Sequence, residues 1–354
     1  MGLKILHSAD WHLGSPFAGF DDSQRALLKQ EQQSIPSKTA QLCRREKCDL
    51  MLLAGDIFDG EPTRETVEAL KKALSECGAR VFITPGNHDF CAPGSVWLEE
   101  NWPENVYVFT GGLEAVTIPD LNCRVYGAGY QSMDSAPLLE NFRAEGSEKY
   151  CIAVLHGDPT RKDSPYCPIT AQQVRDSGLQ YLALGHIHKA GAFHAGGTLC
   201  AWPGCPMGRG WDETGEKGVC IVTVEDSASL RAVALDTIRF YELKADISSG
   251  AEAALEKILP PAGSRDFFRV TLTGSGEADI AKLTRRFSAV PNLTLRDETL
   301  PPLDIWGDTG ADTLEGVYFR LLREAMEADP DSREEIQLAA EISRKLLEGR
   351  EVTL

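Results

Sequence analysis

Short apolar runs alternate with longer polar, helix-like stretches through the first part of the chain. Residues 3–7, 50–54, 81–84, 152–155 and 181–184 are strand-length and almost wholly apolar, which reads as buried strands. Among the stretches between them, residues 63–77 carry helical spacing, with Gly78 placed to end the helix. Such alternation predicts an α/β layered fold. Three further runs, 198–202, 219–225 and 230–240, follow without intervening helices and predict a second sheet packed on the first. Near residue 244 the character changes. Residues 266–296 read as strand, helix, strand, with Phe268, Val270 and Leu272 alternating on one strand face and Ile280, Leu283 and Phe287 on one helix face. A break at Pro301–Pro302 leads to a tail in which Leu314, Val317, Tyr318, Leu321, Leu322 and Ala325 keep helical spacing. Asp312 with Glu315, and Ser332 with Glu335, have the spacing of capping boxes for two successive helices, and Gly349 marks a stop.

A chain of 354 residues is long enough for one large domain and a smaller appendage. Its 42% hydrophobic and 25% charged content is that of a soluble globular protein. The apolar runs are too short to span a bilayer, and the N-terminus lacks the apolar core of a secretory signal. Ten cysteines are scattered between Cys43 and Cys220 with no C-x-x-C pair, which predicts reduced thiols in a cytoplasmic protein. The net charge of −17 weighs against a protein that holds nucleic acid unaided, because phosphate neutralisation by basic residues provides most of that affinity. A small substrate, a partner carrying basic charge, or a local patch at the site would each reconcile the acidity with a phosphate-bearing substrate.

Chemistry-bearing residues follow the predicted strands. Asp10 and His12 follow the first, Asp56 the second, Asn87 with His88 and Asp89 the third, His156 the fourth, and His186 with His188 the fifth. Ligand sites in open α/β sheets lie beyond the carboxyl ends of the strands, so these clusters can converge. Carboxylate, imidazole and amide donors without a thiolate suit a divalent ion such as Mn or Fe. Asp-x-His and His-x-His place two donors on one side of an extended segment. Two ions about 3.5–4 Å apart generate a hydroxide at neutral pH and clamp an in-line displacement at phosphorus, with no protein nucleophile. A single Asp or His at a strand end is usually a turn residue; the ordered set makes these a metal site. His7, inside the first strand, reads instead as a hydrogen-bonded core histidine.

The set D-x-H, G-D-x-x-D, G-N-H-D, a later isolated His and G-H-x-H resembles the calcineurin-like metallophosphoesterase superfamily over roughly residues 1–240. The resemblance implies a four-layer αββα sandwich. By that resemblance Asp10, His12 and His188 hold one ion and Asn87, His156 and His186 the other. Asp56 bridges them, and His88 is the non-ligand histidine that stabilises the transition state or protonates the leaving group. The opening K-I-L-H-S-A-D-W-H-L-G is similar to bacterial DNA-repair exonucleases of the SbcD type, and residues 203–218 to the YhaO-like subgroup. Archaeal and eukaryotic nuclease relatives place a histidine three residues after the bridging aspartate, where this chain has Asp59, so an assisting role for position 59 is not carried over.

The resemblance implies a catalytic domain over 1–243, a small α/β cap over 244–305, and a helical segment over 306–354 that docks on a coiled-coil ATPase partner. The alternative for the tail is that its apolar stripe packs on the chain's own cap. The leading functional expectation is a Mn-dependent DNA exonuclease or endonuclease, with Fe as the alternative metal and single-stranded DNA or DNA ends as substrate. The second is a phosphodiesterase or phosphatase for a nucleotide or other small phosphoester, which the acidity favours. A non-catalytic scaffold is the third; no ligand position is missing. Among Arg161, Lys162, Lys189, Arg209 and Lys217, Arg209 is singled out to meet phosphate, because glycines flank it in a loop. A homodimer and the polarity of digestion are left open.

Overall fold

The computed structural model describes residues 2–301, 303–350 and 352; Pro302 of the expected proline break lies outside them. By its contacts the chain divides into two compact units, one of residues 1–241 with 265–267 and the other of residues 242–264 with 268–354.

The first unit is built on two six-stranded sheets. In one, the strands Leu3–Ser8, Leu50–Ala54, Arg80–Thr84 and Val106–Val108 run parallel, and the antiparallel strands Gly218–Val224 and Ala228–Ala234 extend it beyond the first. In the other, Cys123–Gly127, Tyr150–His156, Tyr181–Gly185 and Thr198–Trp202 are parallel, with an antiparallel strand on each edge. Alternation within single strands explains the layering. Leu50, Leu52 and Ala54 enter the interior between the sheets with Ile152, Val154 and Tyr181, while Met51 and Leu53 face outward onto Leu28, Leu42, Leu70 and Leu74. Both faces are therefore dry, which is why the strands read as continuous apolar runs. Helices Asp22–Gln33, Ile35–Glu46 and Arg64–Ser75 form the outer layer on the first sheet; Ala171–Asp176, with intervening loops, forms a thinner one on the second. This is the expected αββα sandwich.

Several local expectations are corrected. The strands after residue 198 do not make a sheet of their own: Thr198–Trp202 joins the second sheet, and Gly218–Val224 pairs with Leu3–Ser8 in the first. The run 230–240 is interrupted. Leu235 and Ile238, three residues apart, both turn into the helix-covered core, which a two-residue strand period forbids, and a new strand begins at Phe240. Helix Arg64–Ser75 is capped by Thr63, whose Oγ1 accepts from Thr66 N, and Gly78 follows it at φ +77°.

The second unit has a three-stranded sheet with Phe267–Thr273 central and parallel to Leu293–Asp297. Ile247, Leu255, Val270, Leu272, Leu283 and Phe287 form its core. Helices Leu314–Ala328 and Arg333–Leu347 pair in a hairpin, held by Arg344 over the Phe319 ring at 4.0 Å and by Tyr318 Oη and Ser343 Oγ at 2.8 Å. Here the expected caps are off. Thr313, not Asp312, caps the first helix, and Ser332 makes no side-chain cap bond. Phe319 is the side chain the first helix buries, while Leu314, Tyr318 and Leu321 remain exposed, so the stripe does not pack within the chain. No helix among the described residues is long and apolar enough to cross a membrane.

Candidate metal centre

Five loops leaving the carboxyl ends of Leu3–Ser8, Leu50–Ala54, Arg80–Thr84, Tyr150–His156 and Tyr181–Gly185 meet in one place. Backbone bonds join them before any side chain is considered. Asp10 N donates to Gly55 O at 3.0 Å and His12 N to Asp56 O at 2.9 Å. Asp89 then staples the second loop to the third: its Oδ2 accepts from Ile57 N and Phe58 N, and its Oδ1 from Gly86 N. Burial, with Asp56 nearby, raises the Asp89 carboxyl to about 7. A Cβ on Gly86 would collide with the Asp56 carboxylate, and one on Gly185 with Ala54 O, so the approach of these loops requires glycine at both positions.

This convergence strains the backbone where the chemistry lies. Asp10, His12, Asp56 and His186 all have positive φ, at 54°, 47°, 51° and 94°. For residues bearing a Cβ, such conformations cost on the order of 1–3 kcal/mol each and persist where surrounding structure imposes them.

Asp10, His12, Asp56 and His188 each place one donor atom within 4.8 Å of the others. His12 Nε2 and His188 Nε2 face each other at 3.2 Å, and His12 Nε2 is 3.6 Å from Asp56 Oδ2. On the other side of Asp56, His156 Nε2 lies 3.4 Å from the same Oδ2, and Asn87 Oδ1 is 3.0 Å from His156 Nε2 and 3.2 Å from His186 Nδ1. Asp56 thus stands between two groups of donors. His156 Nδ1 is 2.9 Å from Ala54 O, and since a carbonyl only accepts, that nitrogen carries the proton and Nε2 is left to face the cluster.

The cluster is incompletely satisfied by the chain. Asp10 and Asp56 are each 1% exposed, and His12 and His156 are 0% exposed. Asp10 Oδ2 has no hydrogen-bond partner. Burial raises the Asp10 carboxyl, the nearby histidines opposing it. Burial alone would depress His156, but the Asp56 charge beside it outweighs this and lifts it to about 9. Opposed nitrogens and an orphaned carboxylate oxygen in a dry site are the arrangement that divalent cations complete, so the residues present fit such ions.

His88 stands outside this inner group, its side chain 43% exposed. Asp59 Oδ1 lies 3.2 Å from His88 Nδ1 and 3.4 Å from His12 Nδ1. The bond to Asp59 raises the His88 pKa, against the effect of burial.

A family model described as calcineurin-like phosphoesterase matches residues 3–190. The chain belongs to the calcineurin-like phosphoesterase family. As a member it is a metal-dependent phosphoesterase, and its candidate cluster is one for divalent ions. Among curated relatives it is 35% identical over 240 residues to an uncharacterized metallophosphoesterase, YhaO, of Bacillus subtilis, covering 63% of this chain and 57% of that protein. It is 22% identical over 307 residues to the SbcD component of the SbcCD nuclease of Staphylococcus epidermidis, covering 77% and 79%. A solved dimetal phosphatase from Danio rerio, 13% identical, aligns over 66% of this chain and 96% of its own with a TM-score of 0.44.

Glu213 is a site residue that the strand-end pattern of this phosphoesterase did not single out. Its Oε1 accepts from His188 Nδ1 at 2.6 Å and from Arg209 at 2.8 Å, and its Oε2 accepts from the Arg209 amide at 2.8 Å. Burial opposes ionisation, but the bonds from His188 and Arg209 prevail and hold the carboxyl well below its usual range. Arg209, expected to meet phosphate, therefore has its charge engaged by Glu213 and its guanidinium 3.1 Å from His188 Nδ1. Lys217 is buried, whereas Arg161, Lys162 and Lys189 are exposed. His7 behaves as expected of a core residue, with Nδ1 2.7 Å from Tyr181 Oη and Nε2 3.0 Å from Leu184 O. None of the ten cysteines is paired.

Proposed function

We propose that this phosphoesterase is a two-metal phosphodiesterase that cleaves DNA as an exonuclease or endonuclease, with Mn as its metal. The observation that carries the reading is the gathering of seven donor residues around Asp56 in a dry, incompletely satisfied site. Asp10, His12 and His188 would hold one ion and Asn87, His156 and His186 the other, with Asp56 bridging. Bound there, the ions would activate water and neutralise charge on the phosphoryl group. The chain's own residues do the rest. Ala54 O and Glu213 fix the tautomers of His156 and His188, and the loop network holds the donors in register. His88, its proton retained by Asp59, would deliver it to the leaving oxygen.

DNA as substrate is supported by the likeness to SbcD components of SbcCD nucleases. Residues 242 onward would then serve as cap and partner-docking region for a coiled-coil ATPase, for which the exposed Leu314, Leu321, Leu338 and Leu346 offer an apolar face. A small phosphoester is the second reading, favoured by the net charge of −17. A Mn-supplemented panel of linear DNA, RNA and cyclic nucleotides separates them: the nuclease reading expects shortened DNA, and rapid cyclic-nucleotide cleavage with intact DNA overturns it. Substituting His88→Ala should lower turnover by about 100-fold or more while metal binding is kept. Undiminished turnover removes His88 from the mechanism.

A further inference from the structure

Next to the metal cluster lies a cavity of about 720 Å³, within the range of about 300–1,000 Å³ usual for small-molecule sites. It is bounded by the loop after Asp59 and by the segment that continues from His88 into the short helix Val96–Glu99. His88 forms part of its wall, so a molecule with its phosphoryl group at the metal cluster has this cavity to receive what the phosphorus carries.

The cavity's chemistry is selective. Phe90, Val96 and Trp97 give it an apolar wall. Trp97 is 3% exposed and stacked on Trp102 at 5.0 Å, so the wall is stiff and flat rather than yielding. Within that wall the indole Nε1 of Trp97 and the hydroxyl of Ser95 are buried without a hydrogen-bond partner. A plain hydrocarbon would leave both orphaned; a heterocycle bearing carbonyl and ring-nitrogen acceptors suits them. The rim is net acidic. Glu61 and Glu99 are exposed there with Arg64, and Glu100 is matched by Lys71. Such a rim disfavours a second phosphate.

We propose that this cavity is a nucleoside site that takes a single base and sugar beside the scissile phosphate and rejects one bearing a further phosphate. The inference rests on the phosphoesterase centre described above and deepens it: the site favours a terminal nucleoside over an internal one. Stacking against Phe90 supplies the affinity, and the acidic rim supplies the discrimination.

Calorimetry on the full chain loaded with Mn tests this with four probes: inorganic phosphate, methyl phosphate, thymidine 5′-monophosphate and thymidine 3′,5′-bisphosphate. Thymidine 5′-monophosphate should bind about 10-fold tighter than methyl phosphate, and the bisphosphate should lose that advantage. Phe90→Ala should bring the monophosphate down to the level of methyl phosphate while methyl phosphate itself binds as before, which also shows that the variant is folded. Val96→Trp, which fills the cavity, should do the same, and Glu61→Gln with Glu99→Gln should restore the bisphosphate. Equal binding of thymidine 5′-monophosphate and methyl phosphate in the unaltered protein, or an advantage that survives both cavity variants, overturns the nucleoside site while leaving the metal centre standing. Failure of all four probes to bind overturns the centre itself and the inference with it.

Discussion

The interior between the two sheets and the loops beyond their carboxyl ends are equally dry, yet they are dry for opposite reasons. His7 and His12, five residues apart, are both 0% exposed. In the interior, His7 has both ring nitrogens answered, by Tyr181 Oη and Leu184 O, and burial depresses its pKa to about 3, so it is neutral and finished. In the loops, His12 points Nε2 at another imidazole nitrogen and at a carboxylate. Its Nδ1 lies 3.4 Å from Asp59 without hydrogen-bond geometry. The interior is consistent with itself; the loops hold strained backbone and crowded polar atoms that only an added cation reconciles. A protein region that violates local rules in so small a volume, while its surroundings obey them, marks the place where stability has been given up for chemistry.

The sharpest way to break this contrast is to remove one charge from each region's logic. Asp10→Asn keeps shape but deletes a carboxylate whose Oδ2 has no partner. Activity should fall on the order of 1,000-fold, above the ~10–100-fold typical of residues that only orient a ligand. Metal-free stability should stay level or rise, since a buried charge is gone. Leu52→Ala, in the interior at 0% exposure, should cost about 2–5 kcal/mol and leave the metal affinity of the folded fraction intact. Urea unfolding without metal reads both. If Asp10→Asn melts the protein as deeply as Leu52→Ala does, the loops are held by the same packing as the interior and the distinction fails.

Glu213 offers a smaller effect and a finer test. It touches no expected metal donor atom; it holds the far nitrogen of His188 at 2.6 Å. Glu213→Gln keeps one acceptor oxygen but removes the charge that balances Arg209. Mn affinity measured by calorimetry should fall about 10–100-fold with the fold preserved. Unchanged affinity would mean that Glu213 serves Arg209 alone.

The two regions also differed in how far the chain disclosed them. The interior strands were legible because strands buried on both faces read as apolar runs, and the expected and observed bounds differ by a few residues at most. The polar residues after each were legible as a set because glycine-marked turns at Gly55, Gly86 and Gly185 announce close backbone approach. Non-local pairing was not. Nothing local shows that Val224 pairs with Leu3, so residues 218–224 were assigned to a sheet of their own. Glu213 escaped for the same reason: it reaches His188 across 25 residues of loop and strand, and no spacing rule links them. The cap at Thr313 rather than Asp312 is a one-residue slip between two good capping residues, which only the helix's exact start decides.

The smallest effect concerns pH, and it isolates the interior from the loops. His7 has a folded pKa of about 3 against an ordinary 6.5. Between those values the unfolded chain binds the proton and the folded chain does not, so stability rises with pH across that window. The His7 contribution is fully present above pH 6.5 and is lost as pH falls toward 3. Its slope approaches about 1.4 kcal/mol per pH unit, or about 2 kcal/mol between roughly pH 6.5 and pH 5. His7→Gln, which retains hydrogen-bonding capacity without a titrating group, should flatten that part of the curve. Urea midpoints at about pH 7 and pH 5, with and without the substitution, give the difference directly. A variant whose midpoint drops as steeply as the parent's would place the acid sensitivity in the loop cluster, where buried carboxylates and histidines oppose one another, and would leave His7 merely packed.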